Sequence, residues 1–271
     1  MKQRIITALL ITPVAIALLL YVPAAVTAAI IGGLCLIAAW EWTRLSGLRS
    51  RPLRAVLVAA AALIMAALWY CTNLVVWWTL IGAGCVWWFV ALLWLRNFSF
   101  AAAPTRENAA LKVVAGALTV LPAWAGLMRI LVTQDTPHTW ALYSLFVVWA
   151  ADSFAYLAGK RWGRSKLAPN ISPGKTREGV YGALVGCACV AAIGGSLQHV
   201  HGTTLLLLVL FSLIAAAFSV IGDLFESMIK RHAGVKDSGA LFPGHGGVCD
   251  RLDGVFAALP IFALSKALLG L

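Results

Sequence analysis

Two pairs of acidic residues near the C-terminal end could take part in chemistry. Asp223 and Glu226 are three residues apart at the end of one apolar run, and Asp250 and Asp253 repeat this spacing at the start of the next. Residues three apart share a face of an α-helix, so each pair places two carboxylates on one side. Carboxylate oxygens bind Mg²⁺, which often completes its coordination with substrate phosphates. The spacing therefore predicts a site for metal-assisted phosphoryl transfer.

The segment that connects the two pairs is basic and rich in glycine. It carries four cations, at Lys230, Arg231, Lys236 and Arg251. Gly246 and Gly247 precede the N-terminus of the last predicted helix. Glycine lets backbone N–H groups approach an anion, and a helix N-terminus attracts negative charge. An ordinary cytoplasmic loop with helix-capping aspartates would explain the charges alone. It does not explain acidic residues at membrane depth or the Gly-His-Gly-Gly sequence.

The composition identifies the environment of these residues. Of 271 residues, 62% are hydrophobic and only 11% are charged, whereas a soluble domain carries about 25% charged residues. Disordered chains are poor in the large apolar residues that dominate here. The sequence therefore excludes a soluble domain and a disordered chain, and it predicts a multi-pass membrane protein.

Apolar runs of about 20 residues are long enough to cross a bilayer as helices. The runs are 5–21, 24–40, 55–70, 74–95, 113–132, 140–158, 179–197, 203–227 and 252–269. They lack the alternation of a membrane β-barrel. We therefore predict an all-α polytopic transmembrane helical bundle with about nine spans, and the short connection at 228–251 makes the last two helices antiparallel neighbours.

The net charge of +11 reflects topology. All of the 21 basic residues except Arg129 and Lys266 lie in the N-terminal tail or in every second loop. This positive-inside pattern places the N-terminus and the acidic pairs on the cytoplasmic side. We expect a multi-pass protein of a bacterial-type inner (cytoplasmic) membrane with no nucleic-acid partner.

The two halves of the chain differ in chemical content. Residues 1–139 are predicted to be a lipid-facing scaffold, and residues 140–271 a catalytic region with cytoplasmic loops at 159–178 and 228–251. Glu41 and Glu107 lie at loop edges of the first half and are expected to be solvated. Asp152 lies within a span, where it either orients a cation or a neighbouring loop or is buried beside a basic partner.

The stretch from Ser227 to Asp253 resembles the signature of the phosphatidate cytidylyltransferases, also called CDP-diacylglycerol synthases, at all of its positions. The resemblance extends to the segments 222–226, 152–156 and 172–179, the last reading Ser-Pro-Gly-Lys-Thr-Arg-Glu-Gly. It covers about the C-terminal half; the first half matches only in having several spans.

This resemblance implies the Mg²⁺-dependent reaction of phosphatidate with CTP to give CDP-diacylglycerol and pyrophosphate. Family members are thought to hold more than one cation and to form homodimers. Phosphatidate would remain in the bilayer while its phosphate meets cytosolic CTP, which agrees with acidic pairs on the cytoplasmic side.

The resemblance and the charge pattern together suggest roles for individual residues. Asp223 and Asp250 are the first candidates for metal ligands, joined by Glu226 and Asp253. The candidates for phosphate and nucleotide contacts are Ser172, Lys175, Thr176, Arg177, Lys230, Arg231, Lys236, Gly246, Gly247 and Arg251. His245 either donates to a phosphate or shuttles a proton, or it is structural.

Two other functions remain open from the sequence. A lipid-linked transferase or kinase on a related fold would share the nucleotide site but use a hydroxyl acceptor such as an isoprenoid alcohol. A cation or phosphate transporter would also contain intramembrane carboxylates. A transporter, however, predicts acidic residues across the full depth of the bilayer, and here they gather near one side.

Overall fold

The computed structural model describes residues 2–132, 137–242 and 246–271, and these residues form a helical bundle with one small hairpin. The elements are α1 Lys2–Tyr21, α2 Ala24–Leu45, α3 Arg51–Trp69, α4 Leu74–Leu95, α5 Arg106–Val132, α6 Pro137–Trp162, β1 Lys166–Ala168, β2 Ser172–Thr176, α7 Arg177–Leu197, α8 Gly202–His232 and α9 Cys249–Leu268. Each predicted apolar run lies mainly within one helix. The antiparallel β1–β2 hairpin, inside the predicted loop 159–178, is an addition that hydrophobic patterning did not indicate.

Seven of the described helices, α2 to α8, are long and apolar enough to cross a membrane. The prediction of an all-α, polytopic membrane protein is therefore confirmed at this level. Among the residues of α1 whose side chains the structure describes, Thr12–Tyr21 is a shorter apolar stretch, and α9 contains four charged residues. The total of nine spans and the cytoplasmic N-terminus stay predictions.

Helices α6 and α7 approach each other closely because small residues line their contact. A β-carbon at Gly186 would overlap the ring of Phe154, and one at Gly182 would overlap the Ala158 side chain. Small residues allow such close approach between membrane helices. The contact holds the ends of α6 and α7 together, and the hairpin that connects them is thereby fixed at one end of the bundle.

Helices α8 and α9 pack as antiparallel neighbours, as predicted. Gly254 faces Ser219, whereas a β-carbon at Gly222 would meet the Asp253 carbonyl and the Ala257 side chain. On its other side, α8 is anchored by Phe225, whose ring lies 5.4 Å from each of two indole rings, those of Trp87 and Trp94. This packing fixes the acidic end of α8 against the start of α9.

Candidate functional site

Lys230 joins the two acidic helix ends. Its ammonium group forms an ion pair with Glu226, one turn earlier on α8, and another of 2.6 Å with Asp250 on α9. All three residues are buried. Burial of charges is tolerated where they are paired, so Lys230, predicted as a phosphate contact, here neutralises two carboxylates.

Asp250 organises the connecting loop through its second oxygen. Oδ2 accepts hydrogen bonds of 2.8 Å from the Ser238 backbone N–H, the Ser238 hydroxyl and the Gly247 N–H. Gly246 has a left-handed φ of 82°, and a β-carbon there would overlap the Asp250 carboxylate. Both oxygens of Asp250 are therefore engaged within the protein, and the Gly247 N–H predicted to meet an anion meets this carboxylate.

Glu41, at the end of α2, is buried in the same site. Its carboxylate accepts hydrogen bonds from the Val248 N–H at 3.1 Å and the Cys249 N–H at 2.9 Å. It also lies 2.8 Å from the Ser238 hydroxyl, whose single proton it shares with Asp250. The expectation that Glu41 is solvated was wrong, since only 7% of it is exposed. The N–H groups at a helix start lack partners within the helix and attract a carboxylate, and Glu41 supplies one to α9.

Two glycines give the Glu41 carboxylate its room. A β-carbon at Gly247 would overlap both Glu41 oxygens and the Ser238 hydroxyl, and one at Gly239 would overlap Glu41 as well. The close approach of these backbone segments requires residues without side chains. These loop glycines therefore accommodate a carboxylate of the protein itself.

The predicted Ser172–Gly179 loop reaches the acidic end of α8. Lys175, on β2, forms an ion pair of 2.5 Å with Asp223, which also accepts a hydrogen bond of 3.3 Å from the Ser227 hydroxyl. The structure thus brings together a residue predicted for the nucleotide and one predicted for metal. Ser172 is half-buried beside them.

The start of α7 holds this loop in place. Thr176 is the N-cap, and its hydroxyl oxygen accepts a bond of 3.2 Å from the Gly179 N–H. The Glu178 carboxylate accepts backbone bonds from Arg164 and Ser165 at 3.1 and 3.2 Å. Thr176 thus has a structural role, and Arg177 between these residues is exposed.

The remaining predicted cations divide into two groups. Arg231 donates to the backbone oxygens of Ile171 at 3.3 Å and Val235 at 3.5 Å, so it ties the hairpin to the end of α8. Lys236 and Arg251 are exposed. His245 lies outside the described residues.

Three carboxylates of the site are paired with lysines. Carboxylate oxygens are also suitable ligands for a hard cation such as Mg²⁺. Within the described segments, no three His, Cys, Asp or Glu side chains form a group that could hold a metal ion. Glu226 is 1% exposed, and its Oε2 is paired with Lys230 while its Oε1 has no hydrogen-bond partner. Asp253 accepts only a local bond of 2.7 Å from the Gly254 N–H among the bonds described. Carboxylate oxygens are ligands that Mg²⁺ prefers, so the types of these residues suit the ion, although in this structure they do not converge on one point and three of them face lysines.

A largely apolar cavity of about 650 Å³ adjoins the start of α9. Side chains from α1, α2, α5, α6 and α9 line it, and Asp152, Ser153 and Arg251 give it a polar part that is exposed. Along α9 it extends from Arg251 to Leu259, which corresponds to about 12 Å of helix. This arrangement suits a ligand with a polar head and an apolar body.

Comparison with known sequences relates this arrangement to one family. The sequence model of the cytidylyltransferase family matches residues 2–269. A phosphatidate cytidylyltransferase of Pseudomonas aeruginosa is 37% identical over 97% of this chain and 96% of its own length. The enzyme of that name from Haemophilus influenzae is 36% identical over 97% of both chains. One from Staphylococcus haemolyticus is 41% identical over 50% of this chain and 52% of its own.

Proposed function

Because this chain belongs to the cytidylyltransferase family, we propose that it converts phosphatidate and CTP to CDP-diacylglycerol and pyrophosphate. A phosphate oxygen of phosphatidate attacks the α-phosphorus of CTP, the bond from that phosphorus to the β-phosphate oxygen breaks, and pyrophosphate leaves. The observation that carries the proposal is similarity along almost the whole chain, to the family model and to two phosphatidate cytidylyltransferases.

The charges and the cavity support this reaction. Two polyanions must be brought into contact, so catalysis depends on positioning and neutralisation. Lys175 on β2, Arg177 at the start of α7 and Lys236 in the connecting loop are the proposed contacts for CTP. Lys175 already reaches the acidic end of α8. Arg251 belongs both to the start of α9 and to the cavity, so it is the proposed contact for the phosphate of phosphatidate.

We propose Mg²⁺ as the cofactor, held by Asp223, Glu226, Asp250 and Asp253, and the family resemblance suggests a second cation. When bound, the ion neutralises phosphate charge during the attack. The protein supplies positive charge at the same place, since Lys175 and Lys230 already lie beside these carboxylates. Asp250 fixes the connecting loop against the start of α9 by accepting hydrogen bonds from the Ser238 and Gly247 N–H groups.

The charge pattern supports a proposed membrane and orientation for this protein. The site faces the cytoplasm, where CTP is available, in a bacterial inner membrane that supplies phosphatidate. The family resemblance suggests a homodimer. The predicted cytoplasmic loops 159–178 and 228–251 together carry ten of the 21 basic residues, which supports this orientation.

An assay with purified protein in detergent micelles tests the proposal. We expect CDP-diacylglycerol and pyrophosphate to form in equal amounts from phosphatidate and CTP. A polyprenol replaces phosphatidate in a parallel reaction, because a related transferase would use its hydroxyl. Product from the polyprenol alone, or phosphate flux into vesicles without nucleotide chemistry, would contradict the proposal.

A further inference from the structure

A second pocket, lined by arginines, lies on the N-terminal side of the connecting loop. Its volume is about 390 Å³, and its lining residues are Trp40, Glu41, Arg44, Arg51, Arg54, Ser238 and Gly239. Three arginines therefore line one small space at the junction of α2, α3 and the connecting loop. None of these arginines belongs to the site proposed for phosphatidate and CTP.

The positive charge of this pocket is not balanced by the protein. The ion pairs found within the described segments involve Lys175 and Lys230 and none of the three arginines. Glu41 is the pocket's one acidic residue, and its carboxylate is bonded to Ser238, Val248 and Cys249. At most one of three cations is thus offset by a carboxylate.

Neutral groups of the protein hold the Arg54 side chain in place. It is 8% exposed, its guanidinium lies 4.0 Å from the centre of the Trp40 ring, and it donates to Thr43 Oγ1 at 3.0 Å and to the Trp40 carbonyl at 2.9 Å. These partners are neutral, so they orient the cation without neutralising it. A planar guanidinium fixed in this way is suited to bind phosphate oxygens.

The helix dipole adds to the unbalanced charge. Arg51 and Arg54 lie in the first turn of α3, which contains no acidic residue. The N-terminus of a helix carries partial positive charge, so basic residues there are unfavourable unless an anion is present. A bound anion would relieve repulsion among the arginines and would also interact with this helix end.

We propose that this pocket binds a phosphate group, supplied either by the headgroup of an anionic phospholipid or by a soluble phosphate. The pocket is linked to the connecting loop, because Arg44 donates a hydrogen bond of 2.6 Å to the Ser238 carbonyl. Ser238 in turn bonds Asp250. An anion beside Arg44 therefore acts on the loop that positions Asp250.

A binding experiment with matched variants tests the site, and it does not depend on the proposed function. The full chain in detergent is titrated with dioctanoyl-phosphatidylglycerol, with pyrophosphate or with dioctanoyl-phosphatidylcholine, and bound ligand is measured by native mass spectrometry. Arg51→Gln removes one pocket cation at an exposed position. Arg49→Gln is the control, because Arg49 is an exposed cation two residues before Arg51 that does not line the pocket.

We expect Arg51→Gln to weaken binding of the lipid or of pyrophosphate about tenfold and Arg49→Gln to leave it within about twofold, with unchanged melting temperatures for both. The affected ligand identifies the source of the phosphate group. Equal effects of the two variants would mean that the arginines act only as general positive charge of a cytoplasmic loop, and this would overturn the proposal. The proposal would also be overturned if neither anionic ligand bound, or if phosphatidylcholine bound with the same affinity.

Discussion

The Glu41 carboxylate and the Ser238 hydroxyl are 2.8 Å apart, although 197 residues separate them in the sequence. The same hydroxyl lies 2.8 Å from the Asp250 carboxylate. One serine thus connects a helix of the first half of the chain to an acidic residue of the second half. The geometry of the connecting loop therefore depends on α2 as well as on α8 and α9.

Replacing Glu41 should impair catalysis although it lies outside the segments that resemble the family signature. In Glu41→Gln one carboxylate oxygen becomes an NH₂ group that cannot accept a bond, so a buried N–H at the start of α9 or the Ser238 hydroxyl loses its partner. A hydrogen bond to a charged group contributes about 1.5–3 kcal/mol. We expect the rate of CDP-diacylglycerol formation to fall about tenfold or more.

The control for this prediction is Glu107→Gln. Glu107 lies at the start of α5 and is exposed, so the same substitution should leave activity within about twofold. Comparable rates for both variants would mean that Glu41 does not position the loop.

Gly247 in the connecting loop and Gly174 on β2 should differ strongly in whether they tolerate an added methyl group. In Gly247→Ala the added β-carbon would overlap Glu41 and Ser238, whereas Gly174→Ala places it where nothing lies within 4 Å. Overpacking costs about 1–3 kcal/mol. We therefore expect Gly247→Ala to lower the melting temperature by a few degrees and to reduce activity strongly, and Gly174→Ala to resemble the wild type in both measurements. An active, stable Gly247→Ala protein would show that the loop does not need this close approach.

The sequence predicted the helices better than it predicted the details of the site. Apolar runs located the helices, and the three-residue spacing of acidic residues indicated where α8 and α9 meet. Nothing in the sequence related Glu41 to Ser238, because a contact between distant segments depends on packing and has no local periodicity. The hairpin was missed for a similar reason, since its strands are three and five residues long and carry little hydrophobic pattern.

The pairing of Lys230 also could not be predicted. A lysine four residues after Glu226 suggests only an ion pair along one helix. The position of Asp250 on the other side of Lys230 depends on how α8 and α9 pack.

Lys175 is expected to affect the nucleotide more than the lipid. It is half-buried beside Asp223, at the place proposed for the phosphates of CTP, so Lys175→Gln should raise the KM for CTP about tenfold with little change in the KM for phosphatidate. Lys166→Gln, which alters an exposed lysine of the same hairpin, is the control and should change neither constant. An equal rise in both KM values would indicate a general loss of structure.

The two central aspartates should differ in their effect on stability. Asp223→Asn and Asp250→Asn are both expected to abolish CDP-diacylglycerol formation. Asp250 accepts three hydrogen bonds at Oδ2 and pairs with buried Lys230, so its variant should also melt at a lower temperature. Asp223 contacts Lys175 and Ser227 near the surface, and its variant should keep the wild-type melting temperature. Activity close to wild type in either variant would contradict the assignment.

Removal of divalent metal tests whether the acidic cluster holds Mg²⁺ or is neutralised by lysines alone. With EDTA in excess we expect no product from phosphatidate and CTP, and full recovery on addition of Mg²⁺. Glu226→Gln is the informative variant, because Glu226 is buried and its Oε1 has no hydrogen-bond partner. Lys230, which pairs with Oε2, keeps Asp250 as a partner when the Glu226 charge is removed. The half-saturating Mg²⁺ concentration of this variant should rise about tenfold or more, since even groups that only orient a metal's ligands change affinity by that factor. Undiminished turnover in EDTA would mean that Lys175 and Lys230 alone provide the positive charge the reaction needs.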